Sequence, residues 1–293
     1  MDPDYIKLKD IKSELSSYLS DALTLLKENP VPDDNAVHNI RVLLKRSRAV
    51  LKLIETQIES EYKEKDIISL KEAAGLMTSW RDSTVYRKTL KELKKEYPGL
   101  FNSLKENTKL TTLLEKNEPV AEPDPKMKQG IEHIEDLLKK TAYRIRFLNM
   151  KDFDPVVLLK ELDKTYNNAI DHFLICRNNP EESKLHEFRK KCKDFLYQLF
   201  FFRPLNSPEI KALEKKLEIL THNLGKINDI SQIVKALGYN YPNEFNSPEL
   251  DELIVHMREY QDDYLQKVWP AATKIFSPGR KLVNVLGYKI LVI

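Results

Sequence analysis

Residues 37–54 read VHNIRVLLKRSRAVLKLI, and 148 positions later residues 185–202 read LHEFRKKCKDFLYQLFFF. Both stretches are helical in period. In the first, Ile40, Leu43, Leu44, Leu51 and Ile54 share one side, the face that a bundle helix buries. His38, Arg41, Lys45, Arg48 and Lys52 are spaced i, i+3, i+7, i+10 and i+14, a single lengthwise stripe of positive charge, with Arg46 beside it. No acid occurs from Ala36 to Ile54, so nothing on the helix itself neutralises the stripe. Stacked like charges cost about 0.2–0.5 kcal/mol per pair, which a chain tolerates readily where something anionic lies along them. The second stretch repeats the spacing with His186, Arg189 and Lys193, and places Lys190 one turn after His186.

Each basic helix is followed by a second matching element. Trp80-Arg81-Asp82 follows the first, and Leu224-Gly225-Lys226-Ile227-Asn228-Asp229 follows the second. His38 precedes Asp82 by 44 residues and His186 precedes Asp229 by 43, so the chain contains an internal repeat. A helix that opens with Val or Leu, then His, an Arg three residues on and a basic pair four further, followed by a second helix carrying Leu-Gly, two residues, then Arg or Asn and Asp, all of it occurring twice, resembles the CHAD domain, the conserved histidine α-helical domain. The resemblance covers nearly the whole chain, from about Tyr5 to about Phe276. It implies an all-α fold of two helical bundles related by a pseudo-twofold, with a basic pore or groove between them that binds inorganic polyphosphate. The second copy departs from the family pattern, with Asp194 and Leu196 where basic residues are usual; Lys190 and Lys191 supply charge nearby.

Composition agrees with a helical chain. Only 7 of 293 residues are Gly, few for a β or α/β protein of this length, and Lys, Glu and Leu are abundant. The net charge is only +3, less than a protein that coats a polyanion along its whole surface usually carries. The positive charge is instead local, in Arg41 to Lys52, in Lys139 to Arg146 and in Lys184 to Lys193. That segregation suits a focused anion site and disfavours nucleic acid as the partner. Two cysteines do not make a disulfide framework, and no apolar leader or run of 18 apolar residues occurs. A cytoplasmic location is therefore expected, with no membrane partner; the polyphosphate reading adds association with polyphosphate granules, and a homodimer is compatible with it.

The chain divides at residues 118–126, where three prolines in seven positions run extended. Residues 1–117 form the first repeat half and 127–276 the second; 277–293 form a tail. Within the halves, helices are expected over 6–27, from the caps at Asp33 to Asn35 to about Ser60, over 66–97, 100–116 and 127–149, from Asp154-Pro155 to Asn178, over 181–202, over 207–237 with Gly238 as its C-cap, and from Ser247-Pro248 to about Trp269-Pro270. The tail carries β-branched Val283, Val285, Ile290 and Val292 around Leu286-Gly287, which reads as a small hairpin or extended strand.

Polyphosphate has no bases to read, so it asks for rows of cations and flexible donors: Arg as a planar fork, Lys as a point charge. The candidate ligands are His38, Arg41, Lys45, Arg46, Arg48 and Lys52 of the first helix, His186, Arg189, Lys190 and Lys193 of the second, and a third cluster, Lys139, Lys140 and Arg144, that would widen the groove. His38 and His186 are read either as phosphate donors at the ends of the stripes or as bridges to Asp82 or Asp229 that fix the helix pair. Arg81, Asp82, Asn228 and Asp229 are supporting residues that neutralise or orient the adjacent basic helix. Reversal of Arg41 and Arg189 together is expected to leave the fold and remove binding. No catalytic residue, metal or cofactor is assigned: Glu-x-x-His pairs, a His-Asp dyad and a glycine-rich phosphate loop are all lacking. Glu59-Ser60-Glu61-Tyr62-Lys63 matches the E-x-E-x-K pattern of triphosphate tunnel enzymes, but that pattern needs a strand and this stretch is expected at the end of a helix. The alternatives are an enzyme that hydrolyses or transfers phosphate from polyphosphate, or a nucleic-acid or acidic-protein binder.

Overall fold

Capping chemistry sets the helix starts. In the computed structural model, which describes residues 8–114, 125–148, 153–237 and 247–287, Asp10 Oδ1 accepts from Ser13 N (2.9 Å) ahead of α1 (Ile11–Glu28). Asp33 Oδ1 accepts from Ala36 N (2.7 Å) ahead of α2 (Asp34–Leu53). Asp154 does the same for α8 (Pro155–Asn178) and Ser247 for α11 (Pro248–Phe276), each with proline in the first turn. Each such cap is worth about 1 kcal/mol. The remaining helices are α3 (Ser60–Leu76), α4 (Ser79–Glu96), α5 (Pro98–Ser103), α6 (Thr108–Leu114), α7 (Pro125–Phe147), α9 (Glu182–Phe202), α10 (Ser207–Ala236) and α12 (Leu282–Val285). Among the described residues the fold is all-α, without strands.

Five expectations are corrected. The single helix expected over 100–116 is two short ones, α5 and α6, with Asn107 Oδ1 accepting from Leu110 N (3.0 Å) at the start of the second. The basic helix α2 stops at Leu53, with Glu59 to Lys63 opening α3 instead of closing α2. The single helix expected over 66–97 is two, because Thr78 N bonds back to Gly75 O (2.9 Å) and tightens the turn, so α3 ends at Leu76. The last long helix does not end at Pro270. It runs through it to Phe276 because Val268, Ala272, Ile275 and Phe276 are buried and Tyr166 Oη donates to Ile275 O (2.8 Å). The tail is not extended as far as it is described: Val283 and Val285 lie in α12, packed on the main core, and the turn falls at Gly287, whose φ is +83°. Gly238, most of the 118–126 linker and residues 288–293 lie outside the described residues.

The two basic helices, α2 and α9, pack on each other at the centre. Ile40, Leu44, Leu51 and Ile54 beside them, and Phe188, Phe195, Leu199, Phe201 and Phe202 of α9, are fully buried. Small residues at the contact, Ser47 and Ala49, let the helices approach; Gln198 Nε2 reaches from α9 to Ala49 O (3.0 Å). From this pair α1, α3 and α7 extend on one side and α8, α10 and α11 on the other. One apolar core runs through all of them. A second joins α4, α5 and α6 to the end of α10 and the start of α11. The packing thus crosses the division at 118–126 repeatedly: α2 lies against α9, α7 against α1 and α3, and α4 against α10.

Pro270 is exposed, leaves the Gln266 carbonyl without its helical donor, and crowds it. Pro270→Ala is therefore expected to stabilise the protein by about 1–3 kcal/mol, the helix gain less the loss of unfolded-chain rigidity, read as a higher denaturant midpoint at unchanged m-value.

Candidate anion-binding cleft

Between α2 and α9 lies a cleft of ≈ 120 Å³, with α3 as its third wall. Lys45, Arg48 and Lys52 line it from α2, Lys71 from α3, and Arg189, Lys190, Lys193, Asp194 and Tyr197 from α9. The spacings of three and four residues put each set on one helix face, opposite the buried face that fixes the helix. Seven cations therefore meet one carboxylate among the described residues. Asp194 is ion-paired with Lys52 across the two helices, and Lys190 with Glu187 (2.7 Å) on its own helix.

The crowding is visible in the proton equilibria. Burial, then the neighbouring Arg189 guanidinium, push the Lys193 ammonium down to about 8. Burial also lowers Arg48, against the pull of Asp194 and Tyr197, and raises the Tyr197 phenol. A site that makes its own cations less stable is poised to gain from a bound anion, which relieves the repulsion.

Arg41 and Arg189 occupy corresponding seats. Arg41 Nη1 donates to Ala74 O, the carbonyl left over where α3 ends, and to Thr78 Oγ1 (2.8 Å). Arg189 Nε donates to Thr221 O (3.3 Å) on α10, which continues unbroken. The acceptors stand 33 and 32 residues after their arginines. Gly225 makes the second seat: a Cβ there would lie 3.2 Å from Arg189 Nη2.

The structure brings together six of the candidate ligands, Lys45, Arg48, Lys52, Arg189, Lys190 and Lys193, and separates the rest. Arg41 is engaged by the end of α3, so its reversal would strike the fold as well as the site. Arg46 turns to an adjoining cleft, its guanidinium 5.8 Å from the rings of both Tyr18 and Tyr197. His38 is exposed near the start of α2, away from the cleft lining. His186 Nδ1 donates to Asn228 Oδ1 (2.9 Å), a bridge from α9 to α10. Asp229 follows Asn228 on α10, half-buried. Arg81 and Asp82 fall in α4, but their side chains lie outside the described ones.

The third cluster does not widen the groove. Lys139 pairs with Glu135 (2.8 Å) and Lys140 with Asp136 (2.7 Å) on the outer face of α7. Arg144 Nε donates to buried Asp66 Oδ1 of α3 (2.6 Å), whose carboxyl burial still pushes up. These charges are satisfied along α7 and against α3. Lys71 was missed by sequence reasoning because α3 mixes acids and bases without a stripe; only its packing on α2 delivers that lysine to the cleft. Among the described residues no group of three or more His, Cys, Asp or Glu is placed to hold a metal, and no helix is long and apolar enough to cross a membrane.

Comparison with known proteins follows the same lines. The family model described as the CHAD domain matches residues 17–237. A crystal structure of the CHAD domain from the plant Ricinus communis aligns with a TM-score of 0.46 at 16% identity, covering 95% of this chain and 92% of that one. No curated protein matches the chain.

Two outcomes are expected. A polyvalent anion in the cleft favours charged Lys193, whose free value of about 8 is depressed; binding at pH 8 should take up protons, and affinity should fall as pH rises through that value. Calorimetry in buffers of different ionisation heat measures the uptake. Gly225→Ala should push the Arg189 guanidinium aside by a few tenths of an ångström and weaken anion binding about threefold with helical circular dichroism unchanged, as a charge-assisted contact is strained.

Proposed function

The chain belongs to the CHAD domain family, and we propose that it binds inorganic polyphosphate in the cleft between α2 and α9, without chemical turnover. The observation that carries this reading is the convergence of Lys45, Arg48 and Lys52 with Lys71 and with Arg189, Lys190 and Lys193 on one narrow cleft. A linear phosphate chain presents closely spaced negative oxygens and no bases. Cations in two facing rows match it, and Tyr197 alone among the lining residues is aromatic. With a net charge of only +3, the chain concentrates its positive potential here instead of spreading it. Arg41 and His186 act behind the cleft, holding α2 on α3 and α9 on α10. In this reading α2 and α9 are the equivalent helices of two repeated halves. It also places the protein in the cytoplasm, at polyphosphate granules, where Cys176 and Cys192 remain the buried thiols they are here.

The test is a titration with long-chain polyphosphate at two salt concentrations, with RNA of equal charge as competitor. Tight binding that weakens steeply with salt and that RNA does not displace is expected; equal binding of RNA would replace this reading with a general polyanion site. Lys71→Glu with Lys190→Glu reverses two exposed cations of the cleft and should leave the fold intact. The double variant is expected to bind at least about tenfold more weakly, with the salt slope reduced by about one per lost contact, by analogy with DNA.

A further inference from the structure

Lys193 differs from the other α9 and α2 lysines of the cleft. Lys52 is paired with Asp194 and Lys190 with Glu187, whereas no carboxylate is ion-paired with Lys193 among the described residues. Its Nζ lies 5.7 Å from the centre of the Tyr197 ring, and Cys192 and Phe195 are fully buried beside it on α9. Arg189, one turn back, lines the same cleft. An amine held beside Arg189 and Arg46 and an aromatic ring, with Glu218 of α10 pulling toward the charged form but in no ion pair with it, is a nucleophile in waiting. At pH 8 about half of Lys193 is free amine, against under about 1% of an ordinary lysine. The surrounding cations favour anionic reagents over neutral ones.

We propose that Lys193 is a modification site for anionic acyl donors of the acyl phosphate class. The phosphate of the donor seats on Arg189, Lys190 and Arg48, which places its acyl carbon at Nζ. The Nζ lone pair forms the C–N bond as the carbon–oxygen bond to phosphate breaks. Inorganic phosphate leaves with the bonding pair, and the Nζ proton passes to it or to water. The product is a neutral amide in the middle of the cleft. It removes one of the seven cations and so lowers the affinity for a polyanion, while a bound polyanion both covers Lys193 and keeps it protonated. Acylation and polyanion occupancy then oppose each other. This inference rests on the proposed reading of the cleft as an anion site.

The full-length chain is incubated with acetyl phosphate at pH 8 and low salt, and acetylation is followed site by site by peptide mass spectrometry. Lys193 is expected to react at least about tenfold faster than exposed Lys215 and Lys216, given its larger free-amine fraction. High salt should erase part of that preference, as should replacing acetyl phosphate with an uncharged N-hydroxysuccinimide ester. Arg189→Gln, which removes the neighbouring cation, should slow the reaction. Lys193 reacting no faster than Lys215 and Lys216 in protein with native circular dichroism overturns the proposal. A preference equal for the charged and uncharged donors overturns the anion-steering step. These rates need no polyphosphate, so selective acetylation in a chain that fails to bind polyphosphate would discard the binding reading alone, and the converse result would discard this one alone.

Discussion

The structure depends on one unfavourable juxtaposition: two basic helices packed against each other. What holds α2 to α9 is the burial of Leu44, Leu51, Phe195 and Leu199, the hydrogen bond from Gln198 to Ala49 O and the pair Lys52–Asp194. What opposes them is the repulsion among the cations that the same contact aligns. Apolar burial, at about 25 cal/mol per Å², overwhelms surface repulsion of tenths of a kcal/mol per pair, so the fold wins and the repulsion remains as stored potential in the cleft. Asp194 gains meaning in this light. It sits where the family usually has a cation, and through its ion pair with Lys52 across the two helices it relieves part of the crowding within the cleft.

The arginines show how a repeat diverges without losing its geometry. Arg41 takes a carbonyl that the break between α3 and α4 has released, and Thr78 adds an acceptor. Arg189 meets an unbroken helix and takes Thr221 O in the room left by Gly225, where a Cβ would crowd the guanidinium. One copy makes room by ending a helix, the other by omitting a Cβ.

Much of this was legible in the chain and some was not. The helix stripes, the doubling and the caps at Asp33, Asp154 and Ser247 follow from local rules of spacing and hydrogen bonding, which act within a few residues. The continuity of α11 through Pro270 does not, since a tertiary core outbids a local rule there. Nor does the fate of Arg46 and Arg144. Both are basic-face residues by sequence, but Tyr18 and Asp66, each far away in the chain, decide where they turn; His186 takes the second of its two readings, a bridge between helices, with Asn228 in place of Asp229. Lys71 is the complementary case, an ordinary lysine in a mixed helix that packing delivers to the cleft. Sequence pattern identifies charged faces, and only the neighbours decide which of those charges remain available.

The interleaving of the two halves bears on how the chain is made. Synthesis delivers α1, α2 and α3 first, yet their apolar faces are covered by α7 and α9, and α4 to α6 close only on the end of α10 and the start of α11. Until nearly the last long helix has left the ribosome, the first half has an open core flanked by a bare row of cations. The nascent chain is therefore at its most vulnerable to wrong partners, apolar and anionic alike, for most of its time in synthesis, and its contacts of long sequence separation make the final closure a late event.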